Sequence, residues 1–114
     1  MLKYNNKVVA SKIVYCENFV RQGTGLMFRT NNSVDDTAWV FRFRKSRVVT
    51  VTMFFVFFPI DIIFLDTNNK ILELKKDFKP FKNYTSKVAC FSFIELKPGT
   101  IEKFSLKKGA ILQF

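Results

Sequence analysis

The chain has 114 residues, of which 48% are hydrophobic and 17% aromatic, and its formal net charge at pH 7 is +10. This length fits one domain, which we expect to span residues 1–114. The sequence holds two cysteines and no histidine, which excludes histidine-containing zinc sites and catalysis by Ser-His-Asp or Cys-His groups.

The segment KVVASKIVYC has two short β-branched runs, around Val8 and Val14, which are separated by Ser11 and Lys12. This pattern predicts two short strands. Residues 1–19 contain no apolar stretch followed by a small-residue cleavage site, as a secretory signal requires. We therefore expect a cytoplasmic protein.

The next segment, ENFVRQGTG, predicts one or two helical turns that begin near Glu17 and Asn18 and end at Gly23 or Gly25. The two glycines lack the lysine and the spacing of a phosphate-binding loop. The polar run RTNNSVDD that follows predicts a loop.

The segment TAWVFRFRKSR alternates large apolar residues with Val40, Arg42 and Arg44, and it predicts a strand with one core face and one wet face. Its basic end contains no acid and leads into a predicted turn. An exposed tip of this kind is suited to phosphate or nucleic acid, and a merely solvated surface is the alternative. The candidate binding residues are Arg42, Arg44, Lys45 and Arg47.

Residues 48–65 are strongly apolar and raise the possibility of a membrane span. A spanning helix needs about 20 apolar residues, but this run contains Thr50, Thr52, Pro59 and Asp61. A central aspartate alone costs about 3 kcal/mol on insertion. We therefore predict a buried β segment and no membrane association, with Pro59 marking either a break between two strands or a bend in one.

Further strands follow to the end of the chain. DTNNK predicts a hairpin turn before the strand KILEL, KKDFKPFKNYTSK predicts a basic connector, and VACFSFIEL predicts another strand. IEKFSL predicts a helical turn and GAILQF a closing strand. About seven to nine short strands with two minor helical pieces predict an all-β domain, built as a small sandwich or barrel.

Both cysteines, Cys16 and Cys90, lie in apolar, strand-like surroundings. In a reducing compartment we expect two buried thiols, and a disulfide between them is the alternative. Met27 and Met53 have no soft metal ligands beside them in the sequence, so we expect core packing at both. The sequence predicts no metal site and no cofactor.

Several motifs occur in order along nearly the whole chain: TGLMFR, FFPIDIIFLD, KPF, FIELKPG and a terminal KKGAILQF. In this order they resemble the domain of unknown function family one-nine-two, especially its short archaeal members. The resemblance implies a compact, mostly β, jelly-roll-like or barrel-like domain without an established activity. The chain departs from the family pattern at Thr24, Phe81 and Ala110, where the family usually has Arg, Trp and Asp.

Asp61 lies among isoleucines, which predicts its burial, and an unpaired buried carboxylate is costly. One interpretation is structural: Asp61 accepts hydrogen bonds from backbone amides or forms an ion pair with Arg29, or with Arg42 or Arg44. The other is a carboxylate of raised pKa that serves acid–base chemistry in a pocket. We favour the structural interpretation.

Three classes of function stay open. A binding or accessory module would use its basic surface for nucleic acid, an acidic protein or another phosphate-bearing partner. A structural or regulatory interaction domain would show an exposed Phe-rich patch. An enzyme has the least support, because histidine is absent and Asp61 is the one acid that the pattern places in the core.

Overall fold

The computed structural model describes residues 1–16, 34–53 and 56–114. The helical turns predicted over residues 17–25, together with Met27 and Arg29, lie outside the described residues. The described residues are mainly β-strand, which confirms the predicted fold class. Their elements are β1 Leu2–Tyr4, β2 Lys7–Ala10, β3 Lys12–Cys16, β4 Thr37–Arg47, β5 Thr50–Thr52, β6 Ile60–Leu65, β7 Ile71–Phe78, β8 Asn83–Thr85, β9 Cys90–Leu96 and the short helix α1 Thr100–Lys103.

The central sheet has five strands in the order β3-β4-β9-β6-β7. β3 and β4 run parallel, and the other neighbouring strands are antiparallel. In the middle of the sheet, Phe93 lies opposite both Phe41 and Phe64. The rings of Phe41 and Phe93 stack with their centroids 4.6 Å apart. Aromatic pairs of this kind add to the stability that their burial alone provides.

Both faces of the central sheet are buried, because successive residues of a strand point to opposite sides. The face that we call the first carries Trp39, Phe41, Ile62, Phe64 and Phe93. The second face carries Ala38, Val40, Ile63, Ile94 and Leu96. Every residue of β6 is buried, which explains why its sequence, IDIIFL, is apolar on both sides apart from Asp61.

A thin layer covers each face of the central sheet. On the first face, an antiparallel ribbon of β5 and β8 contributes Val51 and the ring of Tyr84, whose centroid lies 6.0 Å from that of Phe64. On the second face lie the β1–β2 hairpin, α1, Leu106 and Leu112. The strands of the described residues form three separate sheets. The fold is therefore sandwich-like, and it is not a closed barrel.

The strongly apolar residues 48–65 form two strands, β5 and β6, with Pro59 between them. β5 alternates, since Val51 is buried between exposed Thr50 and Thr52, whereas β6 is wholly buried. Among the described residues, no helix has the length and apolar character that a bilayer span requires. The cytoplasmic location and the single domain stay predictions.

Two predicted elements are wrong. About half of the predicted basic connector is strand, because β7 continues to Phe78 and residues 83–85 form β8. β7 carries its lysines, Lys75 and Lys76, at positions that are not buried. The predicted closing strand makes only single bridges, between Lys70 and Ile111 and between Lys3 and Gln113. This segment bridges the residue before β7 at one point and β1 at another, so it does not form a continuous ladder with either strand. The two strands predicted in KVVASKIVYC are β2 and β3.

Asp61 connects the central sheet to the layer on its second face. Its side chain is 1% exposed. Oδ1 accepts the backbone N–H of Asp77 at 2.9 Å, and Oδ2 accepts the N–H of Ile101 at 2.9 Å. Asp77 lies where the register between β6 and β7 shifts. The N-cap residue of α1 is Gly99, which has no side chain to accept a hydrogen bond from the first N–H groups of the helix. Asp61 therefore satisfies one donor at a β-bulge and one at a helix start.

Glu73 has the corresponding role on the first face. It lies on β7 and is 4% exposed. One carboxylate oxygen accepts a hydrogen bond from the hydroxyl of Tyr84 on β8. The other accepts the backbone N–H of Lys87 at 2.8 Å. Glu73 thus fixes the ribbon to the edge strand of the central sheet.

We expect Asp61→Asn to lower the free energy of unfolding by about 1 to 3 kcal/mol, because the amide oxygen can accept one of the two backbone N–H groups while the NH₂ group faces the other and cannot accept it. Urea denaturation followed by circular dichroism measures this change. The matched control is Asp35→Asn, which removes an exposed ion pair with Lys97 and should cost at most about 1 kcal/mol. Equal stability of wild type and Asp61→Asn would contradict the structural role of Asp61.

Candidate functional site

The basic end of β4 comprises Arg42, Arg44, Lys45 and Arg47, all of them exposed. Their sequence predicts that they lead from a strand into a turn. In the structure β4 continues through Arg47, so all four cations lie on the strand. The strand restricts their backbone more than the tip of a loop would, although the pairing of β4 with β9 shifts register between Arg42 and Arg47.

Two of these cations lie over aromatic rings on opposite sides of the central sheet. The guanidinium of Arg42 lies 4.6 Å from the ring centre of Tyr15 and 5.7 Å from that of Phe114, on the side of the second face. The guanidinium of Arg47 lies 5.1 Å from the ring centre of Phe43, which packs against the first-face core. The basic end of β4 therefore borders both faces.

The acidic side chains in the described part of the chain are engaged away from this basic end. Three are buried in the interior: Asp61, Glu73 and Glu95. Three form ion pairs with other lysines: Asp35, Asp77 and Glu102. Two accept backbone N–H groups in turns: Asp36 and Asp66.

The cations are distributed differently from the acids. None of the lysines and arginines in residues 1–16, 34–53 and 56–114 is buried, and the ion pairs of these residues do not involve Arg44 or Lys45. Because three carboxylates are buried, the charged groups on the surface of the described residues include a larger fraction of lysines and arginines than the charged groups of these residues as a whole. Anionic partners are attracted to such a surface.

Asp61, the predicted buried acid, does not have the geometry of an acid–base catalyst. Both of its oxygens accept backbone N–H groups, so neither is left to take a proton from a substrate or to give one up. The predicted partner Arg29 lies outside the described residues, so that ion pair stays a prediction. Arg42, another predicted partner, belongs to the basic end of β4, where its guanidinium lies over the ring of Tyr15.

A second group of titratable side chains surrounds Glu73 on the first face. Burial, followed by the hydrogen bond to Glu73, raises the pKa of Tyr84 to about 12. Burial and the nearby charge of Glu73 raise the pKa of Cys90 to about 11, although Arg47 opposes the change. Cys16 and Cys90 are both buried, and they form no disulfide. A thiol with a raised pKa is a weak nucleophile, so Cys90 is suited to packing.

Glu95, like Glu73, is a buried acid that was not predicted from the sequence. It lies on β9, is 7% exposed, and has Trp39 and Ile62 opposite it on the flanking strands. Burial alone raises the pKa of Glu95 to about 8. The alternation in FSFIEL already places Glu95 on the side of Phe93, so the sequence contained the signal that could have identified it.

A groove of about 390 Å³ lies at the other end of the sheet, between β2 and α1. Its lining combines the carboxylate of Asp36 with the ammonium groups of Lys97 and Lys103 and with apolar residues. In the described residues, no three His, Cys, Asp or Glu side chains converge in a way that could hold a metal ion. The groove therefore presents mixed charge, unlike the basic end of β4.

Comparison with known proteins confirms the family resemblance. The model of the DUF192 family, described as an uncharacterised ACR, matches residues 2–114. A UPF0127 protein of Pyrococcus furiosus is 28% identical over 108 residues, which cover 95% of this chain and 90% of that protein. A UPF0127 protein of Thermococcus sibiricus is 28% identical over 109 residues, covering 94% of this chain and 68% of that protein.

Two crystal structures show the same fold. A proposed transcription regulator from Sinorhizobium meliloti superposes with a TM-score of 0.82 at 21% identity, over 89% of this chain and 79% of that one. A protein of unknown function from Novosphingobium aromaticivorans gives a TM-score of 0.81 at 20% identity, over 90% of this chain and 74% of that one. At these identities the likeness extends to the fold alone.

The raised pKa of Glu95 predicts a pH-dependent stability. The folded protein keeps the proton of Glu95 up to a pH of about 8, whereas the unfolded chain releases it near 4.5. The folded state therefore binds more protons in this window, and the free energy of unfolding falls as the pH rises through it. We expect the contribution to be on the order of a few kcal/mol.

Glu95→Gln should remove this decline, because the amide does not ionise. Urea denaturation across the same pH window compares the variant with the wild type. The matched control is Glu102→Gln, which changes an exposed acid and should preserve the decline. If Glu95→Gln also preserved it, the buried group that titrates would not be Glu95.

Proposed function

The chain belongs to the DUF192 family of uncharacterised proteins, and from that premise we propose that it is a non-catalytic binding module for an acidic or phosphate-bearing partner. The proposed binding surface is the basic end of β4. Its positively charged groups are Arg42, Arg44, Lys45 and Arg47.

The observation that carries this proposal is the segregation of charge. In the described residues three acids are buried and no lysine or arginine is. Arg44 and Lys45 are exposed and take no part in the ion pairs of those residues. Within the described residues, no carboxylate forms an ion pair with Arg44 or Lys45, which favours their interaction with an anionic ligand.

The side-chain geometry favours phosphate or carboxylate groups as the ligand. The guanidinium of Arg42 is held over Tyr15 and Phe114, which limits its rotamers before a ligand arrives. The planar donors of a guanidinium match the oxygens of phosphate and carboxylate in pairs. A preorganised arginine beside Arg44 and Lys45 supports an anion site at low entropic cost.

A regulatory protein–protein interaction domain is the second candidate function. Phe57 and Phe81 are 59% and 56% exposed, and their ring centroids lie 5.4 Å apart. Exposed aromatic residues that contact each other form a patch, and such patches are typical of interaction sites. Acid–base catalysis by Asp61 is not part of the proposal, because backbone amides engage both of its oxygens.

Neutralising the basic end of β4 should weaken the binding of polyanions. We expect the double variant Arg44→Ala/Lys45→Ala to bind heparin and duplex DNA several-fold more weakly than wild type. The slope of log K against log salt concentration should become shallower by about 1 to 2, because fewer counterions are released. Fluorescence anisotropy titrations at a series of salt concentrations measure both quantities.

The matched control is Lys107→Ala/Lys108→Ala, which removes the same charge from adjacent exposed lysines elsewhere on the surface. It should leave the affinity and the slope close to those of wild type. Equal losses in the two double variants would show that net charge alone attracts the polyanions. That result would contradict a binding surface at the basic end of β4.

A further inference from the structure

The ribbon of β5 and β8 ends in an exposed pair of aromatic side chains, Phe57 and Phe81, which we call the aromatic pair. Their ring planes are inclined by 72° in an edge-to-face contact. More than half of each side chain is accessible to solvent. Burying these rings would gain free energy, and the other phenylalanines of the described residues are buried or half-buried, so the exposure of this pair requires an explanation.

The backbone at Phe81 is held in a conformation that aromatic residues rarely adopt. Its φ angle is +61°, in the left-handed region, where a bulky side chain is strained. The backbone N–H of Phe81 donates to the carbonyl oxygen of Met53 at 2.9 Å, and the N–H of Met53 donates to the carbonyl oxygen of Lys82 at 2.8 Å. The ribbon thus imposes this conformation. Strain that the surrounding structure maintains is commonly found at functional sites.

The outer side of the ribbon is polar and connects the aromatic pair with the basic end of β4. Its exposed residues pair across the ribbon, Thr50 with Thr85 and Thr52 with Asn83. The hydroxyl groups of Thr50 and Thr85 lie 2.9 Å apart. β4 ends at Arg47, shortly before Thr50, on the side of the sheet that the ribbon covers. A row of hydroxyl and amide side chains therefore lies between Arg47 and the aromatic pair.

Cations flank the same side of the molecule. Lys82 adjoins Phe81 and is exposed, as is Lys87 beyond β8. The exposed acid Asp77 is neutralised by Lys79 at 2.6 Å. The surroundings of the aromatic pair are thus suited to a ligand that is both negatively charged and aromatic.

We propose that the outer side of the ribbon binds single-stranded nucleic acid, with bases stacked on Phe57 and Phe81 and phosphates along the flanking cations. This inference rests on the proposed function and names the class of its partner. Single strands offer unstacked bases to aromatic rings, whereas the bases of a duplex are stacked on each other. Threonine and asparagine side chains contact sugar and phosphate oxygens without reading sequence.

The decisive variant is Phe81→Asn, because asparagine tolerates a positive φ. The substitution removes one stacking surface while it relieves backbone strain, so the melting temperature should be unchanged or higher. Affinity for a fluorescein-labelled oligothymidylate of about 12 nucleotides should fall about tenfold, the loss expected for one stacked base. Affinity for heparin, which has no bases, should stay within about twofold of wild type.

The matched control is Ile111→Ala, which shortens another exposed apolar side chain far from the ribbon in sequence. It should leave the oligothymidylate affinity unchanged. Equal affinity of wild type and Phe81→Asn for the oligonucleotide would overturn the inference. Self-association of the wild type in sedimentation experiments, lost in Phe81→Asn, would also overturn it, because the aromatic pair would then bind a second copy of the chain.

The same measurements separate this inference from the proposed function. A wild-type protein that binds heparin or an acidic protein but no oligothymidylate would overturn the inference and leave the binding module in place. A wild-type protein that binds none of these at low salt would overturn both. Loss of oligothymidylate binding in Phe81→Asn with heparin binding retained would support both.

Discussion

The rest of the structure depends on one constraint, the burial of the central sheet on both of its faces. A carboxylate within such a sheet has lost its water and requires N–H or O–H donors from the neighbouring layers. Asp61 takes its donors from β7 and α1. Glu73 takes its donors from Tyr84 and from the chain after β8. Each of these acids therefore ties a different outer layer to the same sheet.

The use of acids inside the protein determines the character of its surface. Carboxylates that hold layers together cannot balance lysines and arginines outside, so the exposed charge is mainly positive. Glu95 adds to this effect, since burial keeps it protonated up to a pH of about 8. The layers of the fold and the mainly positive surface of the described residues thus depend on the same placement of acidic residues.

Much of the fold could be predicted because the strands have simple patterns. The alternation in TAWVFRF identified a strand, but the face that was predicted to be wet is buried at Val40, because a second layer covers it. The apolar residues around Asp61 identified a buried β segment, which β6 confirms. The burial of Asp61 also followed from its neighbours. The basic segment before β8 was misinterpreted as a connector, because lysines on the exposed positions of β7 hide its alternation.

The sequence by itself determined the β class, the family, the burial of Asp61 and the basic character of the end of β4, since these depend on residue type and on a local period of two. Only the tertiary structure decided that Phe57 meets Phe81, and that Arg42 and Arg47 border opposite faces. The physical reason is that such contacts depend on which strands become neighbours and on the register shift between Arg42 and Arg47. Local patterns in a chain do not encode either of these.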